Sequence, residues 1–139
     1  MRMRRGVMSL MGRVGILCFM GLIVLCACGG VSDEERAALA AEGYFRHLIK
    51  GEYEQFMEGK YGLDQTSEDY REQMLAAYKQ HMAEQDSDHR GILDVHVSTA
   101  KMDTSLHCTN VFLILCYGDS TNEEIVVPMV ERNGSWRMK

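Results

Sequence analysis

The residues best suited to proton transfer are Asp94 and His96, which lie two positions apart where polar and apolar side chains alternate. An aspartate beside a histidine can act as an acid or base when both face a dry cleft. The alternation places both side chains on the polar face of a predicted strand. An enzyme that uses this pair is therefore one hypothesis, and we assign no catalytic residue.

The histidines do not have the close spacing of a metal site. Metal-binding pairs commonly lie four residues apart on a helix or at similarly short separations. A site built from His81, His89 and His96 stays open as an alternative, but the spacing favours histidines that bind no ion. We predict no metal and no cofactor.

Cys108 and Cys116 lie in one predicted strand, eight residues apart. At ~3.3 Å per residue their separation is roughly 26 Å, whereas a disulfide needs Cα atoms within about 7 Å. We expect two free thiols packed as small apolar side chains. A redox or metal pair is the alternative.

The beginning of the chain resembles a bacterial lipoprotein signal. It has a basic start, an apolar stretch at residues 14–25, and small Ala27 directly before Cys28. The apolar stretch is too short to cross a membrane as a helix. The resemblance implies cleavage before Cys28 and its lipidation; Cys26 fits less well because bulky Leu25 precedes it. An ordinary secretory signal cleaved elsewhere is the alternative.

The residues after Cys28 indicate where such a lipoprotein would go. Lipoproteins of this kind have a diacylglycerol and often a third acyl chain, which gives a stable membrane anchor. Gly29, where many retained lipoproteins have Asp, favours the outer membrane. The acidic run 32–35 resembles tags for the cell surface, but Ser32 and Glu35 also form a helix capping signature. The membrane face therefore stays open.

The charge of the chain after the signal limits its partners. Residues 1–27 contain four of the 15 Lys and Arg and none of the 20 Asp and Glu, which leaves a net charge of −9. Nucleic acids and anionic lipid surfaces attract basic proteins, so we predict no nucleic acid partner. The resemblance implies that residues 28–31 are a lipidated cysteine and a short spacer, and residues 32–139 are long enough for one domain.

The first part of this domain predicts three helices. The first begins at Ser32 and ends at Gly51, a short second helix covers residues 52–58, and the third begins at Thr66 or Ser67. Polar residues 86–91 predict a turn. The apolar stripe of the third helix is Tyr70, Met74, Ala77, Tyr78 and Met82.

The rest of the domain predicts four strands. In the first, Leu93, Val95, Val97 and Thr99 share a face. In the second, residues 111–117 are apolar at every position, so both faces should be covered. Asn133-Gly134 predicts a tight hairpin between the last two strands. The resulting register pairs Met129 with Met138, Glu131 with Trp136 and Arg132 with Ser135.

This order of elements resembles the nuclear-transport-factor-2-like superfamily. The resemblance rests on the segments 41–45 (AEGYF), 50–54 (KGEYE) and 131–137 (ERNGSWR). Within the superfamily, the chain is most similar to small bacterial lipoproteins of uncharacterised function. The resemblance implies an α+β cone: three helices on a strongly curved four-stranded antiparallel sheet, a pocket at its open end, and dimers formed through the outer sheet face.

The cone suggests a ligand pocket lined by aromatic side chains. The candidates are Tyr44, Tyr70, Tyr78, Phe112 and Trp136, which are otherwise expected in the core. Our first hypothesis is a non-enzymatic, membrane-anchored domain that binds a small ligand or partner protein. The alternatives are an enzyme of the same fold, with its acid or base drawn from Asp94, His96 or the tyrosines, and a structural envelope module that forms homodimers.

Overall fold

The computed structural model describes residues 29–139, in which three helices precede a four-stranded sheet. The predicted signal peptide and Cys28 lie outside the described residues. The helices are α1 (Asp33–Ile49), α2 (Tyr53–Glu58) and α3 (Glu68–His89), with a 3₁₀ turn at Leu63–Gln65. The strands are β1 (Ile92–Asp103), β2 (Cys108–Tyr117), β3 (Asn122–Arg132) and β4 (Ser135–Met138), antiparallel in the order β1-β2-β3-β4. The predicted α+β architecture is confirmed, and Ser32–Lys139 forms one compact unit.

The ends of α1 follow the predicted local signals. Ser32 Oγ accepts a hydrogen bond from Glu35 N, and Ser32 N donates to the Glu35 carboxylate, which completes the capping box. Gly51, at φ 78°, follows the helix in the left-handed region that glycine tolerates best. Buried Ala37 and Ala41 are short side chains that let the helix lie close to the sheet.

The third helix is longer and more exposed than predicted. The expected turn at residues 86–91 is wrong, because α3 continues to His89 and ends where Arg90 adopts φ 60°. Residues 86–88 are polar and exposed, so the sequence alone does not distinguish a helix from a turn at these positions. Of the predicted stripe only Met82 is buried, and Tyr70 is 51% exposed.

Two β-bulges change the faces of β1. The pairing with β2 shifts between Ile92 and Asp94 and again between Val97 and Thr99. Each bulge adds one residue to one strand and therefore reverses the alternation beyond it. Ile92 is buried while Leu93 is 68% exposed. The prediction that Leu93 and Thr99 share the buried face is thus wrong.

The core lies between α1 and the inner face of the sheet. Val95, Val111, Leu113 and Met129 are completely buried there. The alternate residues of β2, such as Phe112 and Ile114, are only half-buried on the outer face. Within residues 29–139 no second layer covers that face, so full coverage of both faces is not observed.

The hairpin β3–β4 has the predicted register. Met129 pairs with Met138, and Arg132 pairs with Ser135. Asn133 and Gly134 have φ angles of 54° and 79°, the backbone that a tight two-residue hairpin requires. The edge of β4 is extended by a parallel bridge between Lys60 and Met138.

Candidate functional site

A cavity of about 410 Å³ lies beside Trp136. Its walls come from three parts of the fold: the start of α1, the turn between β1 and β2, and the β3–β4 hairpin. This volume lies within the range of small-molecule sites. The lining residues are Asp33, Met102, Asp103, Thr104, His107, Cys108, Thr109, Met129, Val130, Glu131, Arg132 and Trp136.

The buried lining of this Trp136 cavity is mostly apolar, and its exposed rim is polar apart from Met102. Cys108, Met129 and Val130 are buried, whereas His107 and Glu131 are exposed. At the rim, Asp103 Oδ1 accepts hydrogen bonds from the Ser105 hydroxyl and from nearby backbone N–H groups, which lowers the pKa of Asp103. The cavity can hold an apolar group on its base while polar atoms at the rim orient it.

The five predicted pocket residues do not converge on one cavity. Trp136 lines the cavity described above, and Tyr70 is an exposed residue near the start of α3. Phe112 lies on the outer sheet face, half-buried. Tyr44 and Tyr78 pack against the core from α1 and α3.

Tyr44 and Tyr78 have structural contacts that explain their positions. Tyr44 donates a hydrogen bond of 2.7 Å to the carbonyl oxygen of Trp136, and its ring lies so close to Gly59 that a Cβ there would approach it to 2.6 Å. Tyr78 packs edge-to-face on Phe56 with ring centroids 5.1 Å apart. Burial raises the pKa of Tyr78, whose hydroxyl has no hydrogen-bond partner among the described residues.

Asp94 and His96 do not form an acid–base pair in a cleft. Both are exposed, and neither lines the Trp136 cavity. Asp94 Oδ1 accepts hydrogen bonds from Val95 N at 2.8 Å and from Arg46 at 3.0 Å. These contacts lower the pKa of Asp94, which makes its carboxylate a weaker base. The geometry therefore does not favour the enzyme hypothesis at this pair.

One solved structure resembles this fold. A protein from Campylobacter jejuni, provisionally named an NTF2-like transpeptidase, superposes with a TM-score of 0.56 at 11% identity. The match covers 70% of this chain and 92% of that chain. The chain has an NTF2-like fold. At this identity the likeness extends to the fold alone. Scans of protein families and of curated proteins find no match.

The cysteines of the NTF2-like domain are free thiols, as predicted. Cys108 is buried, and Cys116 is half-buried with its Sγ 3.8 Å from His96 Nδ1. Residues 29–139 contain no group of three or more His, Cys, Asp or Glu side chains placed to hold a metal ion. Within that same part of the chain, no helix has the length and apolar character needed to cross a membrane.

A polar cluster in the NTF2-like domain was not predicted. His89 Nδ1 lies 2.9 Å from Asp119 Oδ2, and Asp119 Oδ1 also accepts from the backbone and hydroxyl of Thr121. The Tyr117 hydroxyl donates to Glu123, and its ring packs on His89. Burial, followed by the Glu123 carboxylate, raises the pKa of Tyr117 to about 12. The cluster joins the end of α3 to the β2–β3 turn and lies outside the Trp136 cavity.

Asp119→Asn should reduce stability at neutral pH and have much less effect in acid. Hydrogen bonds from the Thr121 hydroxyl and then His89 lower the pKa of Asp119 to about 2, compared with about 3.9 for an unfolded aspartate. A lowered carboxyl pKa stabilises the fold above the unfolded value and loses this contribution as the pH falls from about 4 towards 2. Circular dichroism melts should show a Tm below wild type at pH 7, and the difference should shrink across that interval.

Asp88→Asn is the matched control for this experiment. Asp88 is an exposed residue one position before His89, and it forms no side-chain hydrogen bond with the described residues. Its Tm profile should follow wild type throughout. A Tm difference for Asp119→Asn that is independent of pH would contradict a role for the ionised carboxylate.

Proposed function

We propose that this chain is an exported lipoprotein, anchored through Cys28 in the outer membrane, whose NTF2-like domain binds a small ligand without catalysis. The observation that supports binding is the 410 Å³ Trp136 cavity, with buried Met129 and Val130 at its base and polar groups at its rim. Sites of this size and character hold small molecules with mixed apolar and polar surfaces.

The proposed anchor rests on the sequence before the domain. A basic start, an apolar stretch and Ala27-Cys28-Gly29 together favour lipidation at Cys28. The domain itself has few features that favour a membrane surface, because the chain after the signal has a net charge of −9. Membrane attachment would therefore depend on the acyl chains.

The absence of catalysis is also a proposal. The name of the Campylobacter jejuni protein suggests a transpeptidase activity for that protein, but 11% identity gives no reason to transfer it. In this chain the arginine-paired, exposed Asp94 argues against a general base. A binding function requires only the cavity.

Native mass spectrometry of the full chain, released from non-ionic detergent micelles, tests the proposal. We expect a reproducible bound mass in addition to the acylated protein. Thr104→Trp should abolish that mass, because Thr104 lines the cavity and a large ring there would occupy it. Leu106→Trp is the control in the same turn, since Leu106 is 58% exposed and does not line the cavity.

The possible results distinguish ligand binding in the Trp136 cavity from binding elsewhere, from no binding, and from dimerisation without a ligand. A bound mass that is kept in Leu106→Trp and lost in Thr104→Trp supports the Trp136 cavity. Retention in both variants places the ligand elsewhere, and protein without any bound mass in all three forms contradicts ligand binding. A dimer with nothing bound favours the second candidate function below.

The second candidate is a structural module that dimerises through the outer sheet face. Phe112 and Ile114 are half-buried there, and Val126 is 50% exposed, without a described layer over them. Lys101 on β1 and Glu124 on β3 lie on opposite sides of this apolar strip. In a two-fold interface, Lys101 of each copy could form an ion pair with Glu124 of the other copy.

A further inference from the structure

A second cleft gathers basic side chains in an otherwise acidic domain. It encloses about 590 Å³ between the loop after α2, the start of α3 and the β3–β4 hairpin. Four of its twelve lining residues are basic, namely Lys60, Arg71, Arg132 and Arg137. Its two acidic residues are Glu58 and Asp64, so this basic cleft has a local excess of positive charge within a chain of net charge −5.

These cations are held mainly by neutral groups. Lys60, Arg132 and Arg137 form no salt bridge with a carboxylate of residues 29–139, and Arg71 lies 3.9 Å from Glu68. The Arg132 guanidinium lies 5.2 Å from the Tyr61 ring centroid, and Nη1 donates to the carbonyl oxygen of Glu131. Arg132 is thus positioned by neutral groups, and Lys60, Arg132 and Arg137 have no carboxylate partner among residues 29–139.

Hydrogen bonds position Arg137, and a cation–π contact positions Lys60. Arg137 Nη1 donates at 2.6 Å to the carbonyl oxygen of Glu58 and lies 3.5 Å from the Tyr44 hydroxyl. A guanidinium has five N–H donors, so others remain for a ligand. Lys60 Nζ lies 5.7 Å from the Phe56 ring centroid, and burial lowers the pKa of Lys60. An anion in the cleft would favour the charged form of this amine.

Backbone hydrogen bonds join two of the segments that form the basic cleft. Tyr61 N donates to the carbonyl oxygen of Met138 at 2.8 Å, and Met138 N donates to that of Gly59 at 2.7 Å. These two bonds tie the loop that contains Lys60 and Tyr61 to β4, which contains Arg137. Preorganised donors lose less entropy when they bind a ligand than mobile ones do.

We propose that the basic cleft binds a soluble organic anion with at least two phosphate or carboxylate groups. Guanidinium forks match the geometry of both oxyanions and form charge-assisted, often bidentate hydrogen bonds with them. Four cationic side chains from three segments are more than a single phosphate or carboxylate group needs. This site lies apart from the walls of the Trp136 cavity except at Arg132, which lines both.

Isothermal titration calorimetry of the full chain in non-ionic detergent tests the site, with inorganic pyrophosphate and citrate as probes. We expect binding that weakens as salt rises from low to physiological concentration. Arg71→Gln and Lys60→Met should each weaken pyrophosphate binding about tenfold, as expected when one charged hydrogen-bond donor is lost. Neither residue lines the Trp136 cavity, so this result is independent of the ligand proposed there.

Lys79→Gln is the control because it removes one exposed positive charge from the same helix, outside the cleft. Its affinity should stay within twofold of wild type. Equal affinity of wild type and Arg71→Gln, or no heat with either probe, would overturn the proposal. If Lys60→Met fails to fold, Arg71→Gln still tests the site, because the Arg71 side chain is 33% exposed on the surface of α3. Preferential binding of dihexanoyl phosphatidylglycerol, lost in Arg71→Gln, would keep the cationic site but assign its phosphate to a lipid headgroup.

Discussion

Gly118→Ala should lower the free energy of unfolding by about 3 kcal/mol, as expected when a methyl group is forced into a packed position. A Cβ at Gly118 would lie 2.3 Å from the carbonyl oxygen of Arg90 and 3.0 Å from its carbonyl carbon. Both are backbone atoms and cannot rotate away. The penalty is therefore steric and arises from the contact between the β2–β3 turn and the end of α3.

The close approach at Gly118 is fixed by hydrogen bonds on both sides. Gly118 N donates to the carbonyl oxygen of Gly91, and Asp119 N donates to that of His89, each at 2.9 Å. Relief of the clash would break one or both of these bonds. The polar cluster of His89 and Asp119 described above would separate at the same time.

Gly43→Ala is the matched control for this prediction. Gly43 lies inside α1, and a Cβ there would meet no atom within 4 Å. Alanine should stabilise the helix by up to about 1 kcal/mol relative to glycine. Urea unfolding followed through Trp136, the single tryptophan of the chain, measures both variants. A Gly118→Ala variant as stable as wild type would contradict the close backbone contact.

The hairpin and the first helix could be predicted because their signals are local. Asn133-Gly134 determines the turn, and the turn then fixes which residues of β3 and β4 face each other. Ser32 and Glu35 fix the start of α1 in the same way. In each case the residues that decide the structure lie within a few positions of the structure that they decide.

The faces of β1 could not be predicted from alternation. A bulge changes which residues face the core, and apolar Ile92 and Leu93 are equally suitable for the buried position. The pairing with β2 makes the choice, and Leu93 is left in solvent. Which of the two side chains is buried therefore depends on β2 residues more than 20 positions away.

The basic cleft was not predicted, and the Trp136 cavity was predicted with other lining residues, for the same reason. The basic cleft combines Lys60, Arg71 and Arg137, which belong to a loop, a helix and a strand. Nothing in the spacing of these residues indicates that they meet. The Trp136 cavity was anticipated only as an aromatic pocket, whereas Trp136 is the one residue of the five predicted aromatic side chains that lines it. Its other walls come from turn residues that have no periodic signal.

Cys28→Ala should move the protein from the membrane fraction to the soluble fraction. Each buried methylene of an acyl chain contributes about 0.8 kcal/mol to membrane binding, so two or three chains make attachment stable, and their loss should reverse it. The acidic domain offers little electrostatic attraction to anionic lipids. Fractionation of bacterial cells, with and without detergent, measures the change.

Cys26→Ala is the matched control because it removes the same side chain two residues earlier in the same signal. This variant should remain in the membrane fraction and keep the acyl mass on its first residue, as intact mass spectrometry would detect. Release of Cys26→Ala alone would move the lipidation site to Cys26. Continued dependence of Cys28→Ala on detergent would contradict the lipoprotein proposal, because a membrane anchor would then persist without the thiol that is proposed to bear the lipid.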